Sequence, residues 1–178
     1  MVKKAVALLR GINVGGHRKV PMAQLRELAA GLGLEEPRTY VASGNLVFDS
    51  DEAPAAVEAR LEAAIESRFG FAVDVIVRSA QQWSEYCGQN PFPEESLRAP
   101  NLVMLIVGKE PADNAALAAL RARASGEEKV ELRGDAIWIW FANGSGRSKI
   151  GTGPGSGKSV WTSRNWRTVL TLQEMLAQ

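Results

Sequence analysis

Three polar stretches of this sequence carry the residue types that hold an anion. The first, Arg10-Gly11-Ile12-Asn13-Val14-Gly15-Gly16-His17-Arg18-Lys19, follows an apolar run and ends at a helix start. Guanidinium, ammonium and imidazole groups supply positive charge there, while glycine-rich turns and helix starts present free backbone N–H donors. The second stretch is Ser43-Gly44-Asn45, and the third joins Gly146-Arg147-Ser148-Lys149 to Arg164-Asn165. Gathered around one hollow, Arg10, Lys19, Arg147, Lys149 and Arg164 would supply charge. Asn13, Ser43 and Asn45, with Ser148 and Asn165, would supply hydrogen bonds. The competing reading is that these cations pair with neighbouring carboxylates and that the glycines only serve turns.

Other motifs fail on inspection. Thr152-Gly153-Pro154-Gly155-Ser156-Gly157-Lys158-Ser159 resembles a phosphate-binding loop, but that pattern needs glycine where Thr152 stands. The preceding apolar strand also ends near Phe141, and too little chain follows for a nucleotide domain. Arg133-Gly134-Asp135 is an adhesion tripeptide in form and a hairpin turn in context. Asn143-Gly144-Ser145 matches a glycosylation sequon and is read as a loop. His17 is the single histidine, which disfavours both a zinc site and a Ser-His nucleophile, so no metal or other cofactor is expected. Cys87, beside Trp83 on an apolar helical face, is expected to be a buried and unreactive thiol. Trp138 and Trp140 alternate with Ile137 and Ile139. They offer one aromatic sheet face that either stacks bases or packs against the other half of the protein.

Composition excludes whole classes of function. Lys and Arg total 21 against 20 Asp and Glu, so there is no global field to hold nucleic acid or an anionic membrane, and any anion site is local. Hydrophobic residues make up 46% and charged residues 23%, ordinary for a chain that buries a core. No apolar stretch approaches the roughly 20 residues of a membrane span. The lone cysteine and the short apolar run after Met1-Val2-Lys3-Lys4 fit a reducing cytoplasm.

The elements that must position the polar stretches follow from periodicity. Ala5 to Leu9 is a continuous apolar run suited to a central strand. Pro21 opens a helix carrying Met22, Leu25, Leu28 and Leu32, which Gly33 ends. Thr39-Tyr40-Val41 and Leu46-Val47-Phe48 are short strands around a turn. Val57, Leu61 and Ile65 repeat every fourth residue as an amphipathic helix before Gly70, and Val73, Val75 and Val77 alternate as a strand. Ser79-Ala80-Gln81-Gln82 has capping-box form and starts a helix. Asn90-Pro91-Phe92-Pro93 ends that helix, and a linker runs to Pro100. Leu102 to Val107 restarts the pattern. Asp113 caps a helix with Leu117 and Leu120 inward, and Val130 to Leu132 and Ile137 to Phe141 form a hairpin. Thr162 or Ser163 caps a last helix that buries Trp166, Val169 and Leu170, with Leu172 and Leu176 further along.

This order predicts an α+β protein of two duplicated ferredoxin-like βαββαβ halves, with antiparallel sheets and helices on one face. The halves span 1–78 and 101–178, and 79–100 is a connecting helix and linker.

Leu8 to Gly16, Lys19 to Met22, Thr39 to Phe48, Asn90-Pro91-Phe92 and Gly146 to Lys149, taken in this order, resemble the bacterial domain of unknown function 1697 family. The likeness runs to Arg164-Asn165-Trp166. It implies a duplicated ferredoxin-like α+β protein and brings no established reaction with it. The chain departs from the family pattern at Gly151 to Gly157, where relatives have a longer helical stretch. The leading expectation is a binding protein for a phosphate-bearing or other anionic ligand, a nucleotide or short RNA, in a cleft between the halves. One alternative is an enzyme acting on a small anionic substrate, for which Asp49, Asp51 and Glu52 are the nearest acids and no general base is evident. Another is a partner-binding scaffold using a sheet edge or the aromatic strand.

Overall fold

The computed structural model describes residues 1–151, 153–154 and 159–178. The chain forms two compact units, Met1–Ser84 together with Leu172–Gln178, and Glu85–Thr171. The described residues make an α+β protein with two four-stranded antiparallel sheets and six helices.

In the first unit, β1 (Lys3–Leu9) pairs with both β3 (Asn45–Ser50) and β4 (Val75–Ser79), and β2 (Glu35–Tyr40) adds to β3. The sheet order is β2-β3-β1-β4. Val6, Ala7, Leu8 and Leu9 are buried in succession, which is why this central strand reads as an unbroken apolar run. Helix α1 (Met22–Gly31) starts after Pro21, and Gly33 takes a left-handed φ of 80° beyond its end. Helix α2 (Pro54–Phe69) has proline in its first turn and stops at Gly70, φ 81°, where an L side chain would be strained. Its inward residues Val57, Leu61 and Ile65 join Leu25, Leu28 and Ala29 of α1 against Ala7, Leu9, Phe48, Val75 and Val77 of the sheet. Strand β2 begins four residues before the expected Thr39, at Glu35. Proline at position 37 hides it, since only an edge strand with a register shift tolerates one there.

The capping box forms as expected. The Ser79 N–H donates to Gln82 Oε1 at 3.0 Å and the Gln82 N–H donates to Ser79 Oγ at 3.2 Å, and α3 (Ala80–Gly88) follows. The segment expected to be a linker instead holds a further helix, α4 (Pro93–Arg98), and a short 3-10 turn at Pro100–Leu102. Asn90 builds that corner: its Oδ1 accepts from Phe92 N–H at 2.9 Å and its Nδ2 donates to Ser96 Oγ at 2.8 Å.

The second unit repeats the pairing plan. β5 (Val103–Gly108) pairs with β7 (Ala136–Trp140) and with β8 (Trp161–Asn165), and β6 (Lys129–Arg133) adds to β7. The order is β6-β7-β5-β8. Helix α5 (Asn114–Arg121) is capped by Asp113, whose carboxylate accepts from Ala116 N–H at 2.8 Å. Between β7 and β8, where the first unit has α2, the described residues hold only a 3-10 turn at Ser145–Arg147. Phe141, Ile150 and Trp161 pack with Leu120, Ile137 and Ile139 in this core.

Two expectations are corrected here. Thr162 and Ser163 cap no helix; they lie in β8, a strand hidden in the polar run Trp161-Thr162-Ser163-Arg164-Asn165. The helix that follows, α6 (Trp166–Ala177), takes its cap from Asn165, whose Oδ1 accepts from Thr168 N–H at 3.0 Å. Leu170, expected inward, is 41% exposed, whereas Val169, Leu172 and Leu176 are buried. Of the glycine-rich segment, Thr152 and Gly155 to Lys158 lie outside the described residues.

Candidate functional site

The residues singled out for anion binding fall into two groups, one in each unit. At the first unit's end, where β1 finishes and α1 begins, the 10–19 loop is fixed by its own asparagine. Asn13 Nδ2 donates to Val20 O at 3.0 Å and to Ala42 O at 2.7 Å, and Val20 N–H donates back to Asn13 Oδ1 at 2.9 Å. Asn45, fully buried, donates through Nδ2 to Tyr40 O at 2.9 Å and to Ser43 Oγ at 3.2 Å. Both amides therefore hold loops in place rather than reach for solvent. Gly44 carries this junction: Leu9 N–H donates to its carbonyl at 2.8 Å. A Cβ there would stand 2.8 Å from both Leu9 Cβ and Ile12 Cδ1.

Around this scaffold the cations are exposed. Arg10 pairs with Asp74 at 3.5 Å, both side chains about half exposed. Arg18 donates to the Ala72 carbonyl, and its guanidinium lies 5.5 Å from the Phe71 ring centroid. Lys19 is exposed and makes no ion pair with another described residue. Helix α1 starts without a side-chain cap and without an acid in its first turn, so its first N–H groups and the helix dipole add partial positive charge beside Lys19.

The backbone is strained at the same end. Asn13, Arg18 and Val41 have φ of 54°, 51° and 50°. For Val41 this is a rare state, because a β-branched side chain crowds the backbone in the left-handed region. Sequence patterns gave no signal of Val41, nor of the roles of Phe71 and Asp74, since neither a dihedral nor a cross-strand neighbour is written in residue order.

In the second unit, Arg147 and Ser148 line a hollow of about 350 Å³ with Ser125, Glu127, Glu128 and Asn143. Glu128 is the centre of a hydrogen-bond cluster. Ser125 donates to Oε2 through its hydroxyl at 2.6 Å and its N–H at 2.8 Å, and the Ser148 hydroxyl donates to Oε1 at 2.8 Å. The Ser125 and Ser148 hydroxyls, in that order, hold the carboxyl down to about 2. Ser148 is thus committed to a carboxylate. Arg147 and Lys149 are exposed and form no ion pair with another described residue. Arg164 is not on a surface: it is buried in β8, donating to Thr162 Oγ1 and Ser163 O, both at 2.8 Å, and its burial lowers the guanidinium to about 10. Asn165 serves as the α6 cap.

Trp138 is fully buried, with its ring 5.6 Å from that of Trp166, so it offers no face for base stacking. The Lys129 ammonium covers Trp140 at 5.0 Å. Among the described residues no group of three His, Cys, Asp or Glu side chains could hold a metal ion, and no helix is long and apolar enough to cross a membrane.

The family model described as "Protein of unknown function (DUF1697)" matches residues 2–138. The chain belongs to this family. The match covers the 10–19 loop and ends inside β7, before Gly146 to Lys149 and β8. A solved structure of a conserved bacterial protein from Streptococcus pneumoniae is 25% identical, with a TM-score of 0.74 over 99% of each chain. The likeness to that protein therefore continues past the end of the DUF1697 match, through the second unit. No curated protein matches the sequence.

Proposed function

We propose that this DUF1697 protein binds a phosphate-bearing ligand, a nucleotide or short RNA segment, at the β1–α1 end of its first unit. Each unit is read as a ferredoxin-like half, a reading that the strand orders β2-β3-β1-β4 and β6-β7-β5-β8 support. The observation that carries the proposal is the coincidence of fixed, strained backbone with exposed positive charge. Asn13 ties down a loop that carries Arg10, Arg18 and Lys19: Arg10 pairs with Asp74, Arg18 donates to the Ala72 carbonyl, and Lys19, just before an uncapped helix start, makes no ion pair with another described residue. Strained residues persist only where surroundings over-determine them, and they cluster at ligand sites. Arg10 and Lys19 are the charge donors, and the exposed Ser43 offers a hydroxyl. Asn13 and Asn45 are positioning residues. In the second unit, Ser148, Arg164 and Asn165 hold the fold.

Isothermal titration with AMP, ATP, a short oligouridylate and inorganic phosphate tests this. Binding is expected to weaken about tenfold for Arg10→Ala and again for Lys19→Ala, the loss of one charge-assisted contact each, and to weaken as salt rises. No saturable binding by any of these probes, or binding that neither substitution changes, overturns the proposal.

A further inference from the structure

Strand β4 is an outer strand of the first sheet, and β1 is its only strand neighbour among the described residues. The Arg10 N–H donates to Asp74 O at 3.0 Å, and the β1–β4 pairing alternates from there. Ile76 and Arg78 therefore turn their backbone groups toward β1, while Val75, Val77 and Ser79 turn theirs away. Outward N–H and C=O groups of this kind are a template for another strand. Here each of the three outward N–H groups is already taken by a side chain. Val75 donates to Glu62 Oε1 at 2.9 Å, Val77 to Glu58 Oε1 at 2.8 Å, and Ser79 to Gln82 Oε1 at 3.0 Å. The outward carbonyl of Val77 accepts from the Arg78 guanidinium at 2.9 Å.

The fit of α2 to this edge follows from two repeats. Four residues advance a helix by about 6 Å, and two residues advance a strand by about 6.6 Å. Carboxylates at 58 and 62 thus meet amides at 77 and 75, with the helix running opposite to the strand. Glu58 and Glu62 directly follow Val57 and Leu61, which are buried in the core, so the packing of α2 fixes the row that reaches the edge. The strand beneath is Val75-Ile76-Val77, a β-branched run suited to pairing, and every copy of the chain carries it.

We infer that Glu58, Glu62 and Gln82 hold this edge closed against a second copy of the chain, whose own β4 would otherwise add to it as an antiparallel strand. Such a pair is self-complementary, so one bared edge suffices for a dimer. The sheet's other outer strand, β2, is blunted by different means, Pro37 and a register shift. The second unit repeats part of the device on its outer strand β8, where Arg164 donates to the Ser163 carbonyl at 2.8 Å as Arg78 does to that of Val77.

Two measurements on the full chain test this. Amide hydrogen exchange by NMR reads the guards one at a time. Glu62→Ala should speed exchange at Val75 about tenfold and leave Val77 unchanged, and Glu58→Ala should do the reverse. Light scattering over a concentration series reads association. Glu58→Ala/Glu62→Ala should gain mass with concentration relative to the unaltered chain. Glu58→Gln/Glu62→Gln, which keeps both acceptor oxygens, and Glu66→Ala, which removes an exposed charge from the same helix, should not. Circular dichroism checks that the double alanine variant folds; if it does not, Glu58→Ala at high concentration gives the same reading. The inference is overturned by exchange that neither single substitution changes, by an alanine variant whose mass stays that of the unaltered chain, or by equal association of the glutamine pair or of Glu66→Ala. None of the guard residues belongs to the proposed phosphate site, which is read with different probes and variants.

Discussion

Gly44 lies under contact from two side chains at once, and its φ is 91°. Gly44→Ala must therefore displace Leu9 or Ile12 and also strain the backbone. It is expected to lower stability by about 1–3 kcal/mol, read as a fall in Tm, with no loss of secondary structure by circular dichroism. Glu128 makes a second residue-scale prediction. Its folded value, about 2, lies below the ordinary 4.5 because Ser125 and Ser148 donate to it. The sign follows: the stabilisation is complete above about 4.5 and is lost as pH falls through about 2. Ser148→Ala should raise the Glu128 carboxyl toward its ordinary range, visible by NMR titration of its side-chain carbon, and an unchanged titration would contradict the hydrogen-bond cluster. Cys87 is pushed up to about 11, chiefly by burial. It should react with a thiol reagent at neutral pH far more slowly than free cysteine, because the thiolate is the nucleophile. The sequence made residue types legible but not their partners: Asn13 and Asn45 have the right chemistry for a ligand and are used instead to hold loops.

At the scale of elements, periodicity was a sound guide to α2 and less so to α6, where Leu170 was read as inward and is exposed. The every-fourth-residue pattern of Val57, Leu61 and Ile65 became the inward face of α2, and the capping box at Ser79 and Gln82 formed as spaced. Leu61→Ala is accordingly expected to destabilise by about 2–5 kcal/mol in denaturant unfolding, while Leu170→Ala, on an exposed position, should change stability little. The elements that periodicity missed are those made by context. Strand β2 contains a proline at position 37, which an edge position with a register shift absorbs. Strand β8 is polar and becomes a strand only because β5 offers it a pairing edge. Helix α4 has six residues, too few for a periodic signal.

Across the whole molecule, the duplicated strand order without a visible residue-level repeat shows which constraint is shared. Each unit needs a central apolar strand paired on both edges, and many sequences satisfy that. The second unit does so without a counterpart of α2 among the described residues, using Phe141, Ile150 and Trp161 to complete its core. Fold class and family were legible because they rest on such patterns and on the ordered motifs from Leu8 to Phe48. The proposed site was only partly legible. Arg164 carries the right charge and is buried in a strand, whereas the strain at Val41 and the pairing of Arg10 with Asp74 exist only once the chain has folded. The claim of most consequence is that the fixed basic loop before α1 holds phosphate. Its most direct measurement is calorimetric titration of the intact chain and of Arg10→Ala with the same nucleotide at two salt concentrations. The account predicts saturable binding that the substitution weakens about tenfold and that added salt weakens further. Identical heats for the two proteins, or none above dilution, would contradict it.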